Sequence, residues 1–400
     1  MRQLILCAAI VGVASPMLGC EAHQSSGNTA GDSATSGPAT SPTLPTQTVS
    51  SKLGAIRLTT IRSGLEHPWA VALLPDGSFL VTERPGRLLH IGANGAKSAP
   101  ISGVPPVWAN GQGGLLDVVL APDFETSRRI YVSYAEAGDN GTAGTAVSSA
   151  TLGEGVLTDV KLVYRQEPKL SGGNHFGSRL AFDGQGHLFI SQGERNDRPT
   201  AQKLDMLQGK LVRLHLDGRV PRDNPFVGKP GVRPEIWSYG HRNMQGLAFD
   251  PRTNKLWESE HGPRGGDEIN LPQPGRNYGW PIITHGIDYS GIRISESVGD
   301  SAPGMEQPHH FWAKSPGLSG MAFYTGRPGA KWNDSLFLGS LAESNLIRLQ
   351  LQGDRIAGEE RLLTDRGARI RDVRVGKDGN VYVLTDEDDG KLLKLEPTKS

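Results

Sequence analysis

Trp69–Ile91 reads WAVALLPDGSFLVTERPGRLLHI. An apolar run meets a Pro-Asp-Gly turn, a second run follows, a Pro-Gly turn interrupts it, and a third run closes the stretch. Runs of this length, rich in Val, Leu and Phe and separated by Gly and Pro, are short strands rather than helical turns. The pattern returns as LLDVVLAPDFETSRRIYVSYA (Leu115–Ala135), SRLAFDGQGHLFISQGE (Ser178–Glu194) and GLAFDPRTNKLWESEHG (Gly246–Gly262). A looser copy spans Ser319–Leu341, and the last is RDVRVGKDGNVYVLTDEDDGKLLKLE (Arg371–Glu396). Asn380–Leu384 shows the period-two alternation of a pleated strand. The spacing of the copies is uneven but near the roughly 40–50 residues of one propeller blade with its loops. The reading is therefore all-β: residues 53–397 form one six-bladed β-propeller with four-stranded antiparallel blades. Radial closure leaves few exposed edges. Two β-sandwiches are the alternative, ranked lower because no linker divides the region. The best candidate for a short helix is Thr200–Gln208.

Composition narrows the function classes. Lys+Arg and Asp+Glu both number 42, so nothing global draws the chain to nucleic acid. The 52 Gly and 27 Pro accompany apolar runs throughout, which fits many strands and turns rather than disorder. Arg2 and the apolar Leu4–Val13 form a processing signal, with residues 1–20 ending Met17-Leu18-Gly19-Cys20. A small residue before Cys after such a run resembles the lipobox of bacterial lipoproteins. The plainer alternative is an ordinary cleaved signal. Lipidation at Cys20 is the expectation, with the protein exported to the periplasmic face of a bacterial membrane. Cys7 leaves with the signal, so the mature chain has no internal disulfide. Residues 21–52, rich in Ser, Thr, Gly, Ala and Pro, read as a flexible tether.

In a propeller, ligands bind where loops from several blades converge on the axis. Gln112 precedes the strand beginning at Leu115, His175 precedes Ser178–Phe182, Arg242 and Asn243 precede Gly246–Phe249, and Arg369 and Arg371 lead into Val373–Val375. Each polar group stands ahead of an inner-strand candidate in its own repeat, so all point at one axis. Singly, each has a bland reading: a lone His is usually a satisfied one, and an Arg pair at spacing two is usually a solvated strand face. Gly262-Pro263 and Asp267-Glu268 read equally well as a turn with exposed acids. The chain has no CxxC, HExxH, phosphate-binding glycine loop or GxSxG elbow.

Taken together, seven motifs resemble those of the soluble aldose sugar dehydrogenases that depend on pyrroloquinoline quinone (PQQ). They are Gln112–Leu116 (QGGLL), Asn174–Leu180 (NHFGSRL), Gly240–Gly246 (GHRNMQG), Glu260–Pro263 (EHGP), Asp267–Asn270 (DEIN), Asn277–Pro281 (NYGWP) and Arg369–Val373 (RIRDV). The resemblance implies a six-bladed propeller that oxidises the C1 hydroxyl of an aldose to an aldonolactone. His175 matches the base that removes the hydroxyl proton, with hydride passing to the quinone. Arg242 matches the arginine beside the quinone oxygens. Asn243, Gln112, Arg369 and Arg371 match cofactor contacts, and Tyr289 a position near the cofactor. Gly262 and Pro263 match the backbone carbonyls that hold a Ca2+ at PQQ, and Glu268 and Tyr278 the ligands of a further, structural Ca2+. One departure stands out: a Lys that commonly contacts PQQ is replaced by Ala342. Weaker PQQ binding is expected unless another cation, such as Lys314, takes its place.

Two other function classes share this architecture. A calcium-dependent lactonase needs side-chain carboxylates around its metal and no Arg pair, which counts against it here. A non-catalytic surface-binding propeller is favoured by Ala342 and opposed by the joint presence of His175, Arg242 and Asn243. The preferred sugar, the electron acceptor and the oligomeric state are not legible.

Overall fold

The computed structural model describes residues 44–326 and 330–397. The signal peptide, Cys20 and most of the tether lie outside the described residues. Six antiparallel sheets follow one another along the chain. Blade 1 is Pro68–Leu73, Phe79–Glu83 and Arg87–Ile91. The inner and second strands are Leu115–Leu120 and Arg129–Ala137 in blade 2, Gly177–Phe182 and His187–Gln192 in blade 3, and Met244–Phe249 and Leu256–Glu260 in blade 4. Blade 5 begins with Leu318–Phe323 and Ser335–Ser340, and blade 6 with Ile370–Val375 and Val381–Thr385. Every repeat read from the sequence is the start of a blade. The inner strand of each blade packs on that of the next, and Ile370–Val375 packs on Pro68–Leu73, closing the ring.

Strand number is less regular than expected. Blades 2 to 5 have four strands, blade 1 has three and blade 6 has five. The extra strands come from the N-terminal side: Ile56–Leu65 pairs with Gly390–Pro397, and Thr46–Val49 pairs with Ile56–Leu65. The end of the expected tether is thus part of the last sheet. Thr46-Gln47-Thr48-Val49 carries β-favouring residues and finds an open edge to pair with. The expected helix at Thr200–Gln208 is a 3-10 turn at Arg198–Gln202 instead. Its single turn is set by Pro199 near the start, with too few residues beyond it for a helix to propagate.

The core lies between blades. Six apolar clusters occupy the six spaces between neighbouring sheets. Strand periodicity explains the sharing: Val381 and Val383 face blade 5, while Tyr382 and Leu384 face blade 1. Strands buried on both faces are largely apolar, as in Phe79–Val81 of the fully buried Phe79–Glu83, whose Thr82 and Glu83 are hydrogen-bonded. Buried polar groups within the strands, such as Glu258 and Arg348, are held by polar partners, Asn270 and Glu360 respectively.

Candidate active site

At one end of the ring, the segment that opens the inner strand meets the axis in every blade, and in blades 1, 4, 5 and 6 the residue that follows the second strand meets it too. Antiparallel pairing places them side by side. Together they line a cavity of about 360 Å³ bounded by His67, Arg84, Gln112, Asn243, Gln245, His261, Leu341, Ala342, Arg369, Arg371 and Asp386, with Trp69 and Phe176 as apolar walls. Gln112, Asn243, Arg369, Arg371 and Ala342 therefore come together as the sequence predicts.

The cavity is cationic. Arg371 is 9% exposed and donates to Asp386 Oδ2 from Nη2 (2.6 Å) and Nε (3.2 Å) and to Gln245 Oε1 from Nη1 (3.2 Å). Arg369 Nη1 donates to Leu341 O at 3.1 Å. Burial opposes the charge on Asp386, but Arg371 and Arg84 outweigh it and hold the carboxyl far below its ordinary range. His261 is pushed down to about 4 by burial, so it is neutral at physiological pH, with Nε2 donating to the Leu318 carbonyl. Arg242 stands beside this wall: its Nη1 donates to His261 O at 3.1 Å, its guanidinium lies 5.3 Å from the Trp280 ring centre, and its buried Nε has no partner.

A second, polar cavity of about 330 Å³ is lined by Leu170–Asn174 and by Arg195, Asn196 and Asp197; His175 is buried and lines neither cavity, but its backbone runs between them. Its chain neighbours Phe176 and Asn174 line the first and second cavities respectively. Its backbone is left-handed (φ 53°), a conformation that costs energy in a non-glycine residue and concentrates at functional sites. Two contacts hold it: the His175 N–H donates to Gln112 Oε1 at 2.8 Å, and Gly193 leaves room for the His175 carbonyl, which a Cβ there would meet at 2.0 Å. The imidazole Nδ1 lies 2.5 Å from Glu194 Oε2. Burial lowers the His175 pKa below 6.5 despite that carboxylate. Glu194 is fully buried, which favours its acid form, yet His175 and Arg242 keep it below its ordinary value. The pair therefore consists of neutral His and ionised Glu, with Nδ1 carrying the proton and Nε2 free to accept one.

A second polar cluster lies under the strand pair of blade 4. His241, Glu258 and Glu260 place ligand atoms within 4.8 Å of one another. Asn270 Nδ2 donates to Glu258 Oε1 (2.8 Å), Glu260 Oε1 (3.3 Å) and Glu268 Oε2 (3.4 Å). Burial, then the neighbouring Glu260, pushes the carboxyls of Glu258 and Glu268 well above the ordinary range. Glu258 Oε2 and Asn270 Oδ1 are buried without partners. Glu268 belongs to this cluster. The Tyr278 hydroxyl does not: it donates to Leu271 O (2.8 Å) and accepts from Gln273 N–H (2.9 Å), while the ring stacks on His241 at 4.8 Å. Any part Tyr278 takes in holding a metal falls to its backbone oxygen.

Gly262 and Pro263 form the turn after the second strand of blade 4, next to the cavity-lining His261. The Gly262 N–H donates to Asp267 Oδ1 at 3.0 Å. Among the described residues, no backbone N–H donates to either carbonyl. Tyr289 departs from expectation. It is 70% exposed and does not line the cavity. Its loop is tied to Arg198, which pairs with Asp288 (2.5 Å) and Glu296 (3.4 Å). Nor does Lys314 replace the missing cation: its side chain is 86% exposed and its ammonium lies 3.2 Å from Glu343. Among the site residues that escape the sequence reading are Glu194, Arg84 and Asp386. Each follows the second strand of its blade, and that position is a signal alongside the one before the inner strand.

Residues 65–394 match the family model described as Glucose / Sorbosone dehydrogenase, and the chain belongs to that family. Over 345 residues it is 56% identical to Aldose sugar dehydrogenase YliI of Escherichia coli, covering 86% of this chain and 93% of that one. The crystal structure of the soluble aldose sugar dehydrogenase from Escherichia coli in its apo form superposes with a TM-score of 0.84 at 56% identity, covering 86% of this chain and 100% of the other. The PQQ-bound form of an aldose sugar dehydrogenase from Streptomyces coelicolor superposes with a TM-score of 0.72 at 29% identity, covering 88% and 99%.

Proposed function

We propose that this chain is a PQQ- and Ca2+-dependent aldose sugar dehydrogenase that oxidises the C1 hydroxyl of an aldose to the aldonolactone. The observation that carries the reading is the buried His175–Glu194 pair, set where the chain passes from the polar cavity at Asn174 to the arginine-lined cavity at Phe176. The sugar sits against Asn174, Asn196 and Asp197, whose amides and carboxylate match hydroxyl groups. His175 Nε2 takes the proton from the C1 hydroxyl, and Glu194 holds the ring in the tautomer that permits it and stabilises the imidazolium that forms. The C1 hydrogen leaves with its electron pair, and PQQ when bound supplies the acceptor for that pair. Arg242 provides a fixed positive charge beside the acceptor, where charge develops. Arg369, Arg371, Asn243 and Gln112 hold the cofactor, whose three carboxylates suit forked guanidinium donors.

The chain fits both groups the reading requires. Arg242 Nε is buried and unpartnered behind the cavity-lining His261, whose carbonyl Arg242 Nη1 holds. Gly262 and Pro263 offer carbonyl oxygens of the kind Ca2+ prefers, and the Glu258–Glu260–Glu268 cluster with its orphaned acceptors suits a second such ion. The lactonase alternative needs free carboxylates at the axis. Asp386 is the only carboxylate lining the cavity among the described residues, and Arg371 and His67 occupy both its oxygens.

Purified protein lacking residues 1–20 is expected to oxidise aldoses with an artificial electron acceptor only after addition of PQQ and Ca2+. Equal activity with NAD, or full activity without PQQ, contradicts the reading. Lipidation of Cys20 at the periplasmic face belongs to the same proposal, resting on Leu18-Gly19-Cys20 after an apolar run. Cys20→Ser should move the protein out of the membrane fraction or stop its processing. A wild-type protein that is soluble and cut elsewhere contradicts the anchor.

A further inference from the structure

The cavity holds more positive charge than the predicted contacts account for. Three guanidinium groups line it, those of Arg84, Arg369 and Arg371, and Asp386 is the one carboxylate among the described lining residues. That carboxylate is already committed: Oδ2 accepts from Arg371 and Oδ1 lies 3.1 Å from His67 Nδ1. Arg369 and Arg84 stand 3.8 and 3.9 Å from it, beyond hydrogen-bond distance. Arg84 Nη1 donates to Gly111 O at 3.0 Å, on the turn that leads into Gln112, and its Nε is buried without a partner. A guanidinium that is only 22% exposed, short of an anion and crowded by two like charges is costly. An incoming anion removes that cost.

We propose that Arg84 binds a carboxylate of the polycarboxylate cofactor and supplies the cation that Ala342 does not. The inference rests on the PQQ reading above and adds a residue to its site. Arg371 and Arg369 enter from blade 6 and Arg84 from blade 1, so the cofactor is gripped from both sides of the junction where the ring closes. The Gly111 carbonyl fixes the Arg84 fork, so little side-chain freedom is lost on binding. Lys314 is excluded from this role by its exposure and its partner Glu343.

The test is a titration of apo-protein with PQQ at fixed Ca2+, read from the quinone absorbance or the quenching of Trp fluorescence, without turnover. Arg84→Gln should raise the dissociation constant about tenfold to a hundredfold, the range expected for a lost charge-assisted hydrogen bond. Arg84→Lys, which keeps the charge and loses the fork, should fall between that variant and wild type. This second variant serves where Arg84→Gln fails to fold. The trimethyl ester of PQQ should bind wild type and Arg84→Gln alike, because the interaction requires the carboxylate. A dissociation constant for Arg84→Gln within about threefold of wild type overturns the proposal and leaves the cofactor reading standing. A wild-type protein that does not bind PQQ overturns both.

Discussion

His175 and Glu194 make the chemistry testable at single residues. Replacing His175 by Ala should lower turnover by roughly 10²–10⁴-fold while PQQ still binds, since that is the usual contribution of a positioned base. A loss under about tenfold assigns proton removal to another group. The pH dependence has a definite sign. Burial lowers the His175 pKa, so the neutral, competent form persists below pH 6.5, and activity should fall only as pH drops through that lower value. The stability this group contributes follows the same course. It is complete above its unfolded pKa of about 6.5 and is lost as pH falls through the folded one. Glu194 raises the His175 pKa, so Glu194→Gln should move the acid limb of the rate profile to still lower pH and reduce the plateau rate. An acid limb that stays in place would show that another group titrates. At Ala342 the expected change is small. With Arg84 already facing the cofactor, Ala342→Lys adds a further cation to a crowded set, and PQQ affinity should change by less than about tenfold. A gain of a hundredfold would show a carboxylate left unpaired.

At the scale of the element, the blades present their functional groups at the axial tips of their two inner strands, blade 2 from its inner strand alone. The sequence shows half of this. Residues opening the inner strands stand out because a polar group interrupts an apolar run, as with Asn243 before Met244 and Arg369 before Ile370. Residues closing the second strand are harder to see. Arg84 and Asp386 lie in turn-like stretches, TERPG and TDEDDG, where charge is ordinary, and only the ring brings them to one point. Tyr289 misleads for the opposite reason. It matches by position alone, outside every motif of the resemblance, and its loop is held by the Arg198 ion pairs, which join residues far apart in sequence. Strand number in blades 1 and 6 was illegible because Ile56–Leu65 pairs with the far end of the chain, a partner that local periodicity cannot name. That pairing closes the ring and has a measurable consequence. Leu58 is 1% exposed and packs with Val381 and Leu395, so Leu58→Ala should destabilise the domain by about 2–5 kcal/mol in denaturant unfolding. An effect under about 0.5 kcal/mol would mean that closure does not depend on this strand.

Across the whole molecule, the axis is a stack of three levels. The cationic cavity is at one end. Below it Trp69 stacks on Arg179 at 4.1 Å, and Arg179, Arg374, Asp117 and Asp372 close a buried network that joins blades 2, 3 and 6. Asp372 Oδ2 also accepts the Val71 N–H of blade 1 at 2.9 Å. At the other end an apolar recess of about 410 Å³ is lined by the inner strands of all six blades. The network fixes the blades around the axis and separates the two chambers. Asp372→Ala takes one of the two carboxylates from the Arg179 and Arg374 guanidiniums, leaves both on Asp117 alone, and should cost about 3 kcal/mol, more than a surface charge. A melt within about a degree of wild type would show that the remaining groups compensate. The central proposal is that the chain holds PQQ in the cationic cavity and takes electrons from a sugar activated by His175. The most direct test uses protein loaded with PQQ and Ca2+ under anaerobic conditions, to which an aldose is added while the quinone spectrum is followed. The wild type should convert fully from the oxidised to the reduced spectrum, and the His175→Ala protein should bind the same PQQ and stay oxidised over that time. Reduction at the same rate in both proteins, or no PQQ spectrum in either, would contradict the account.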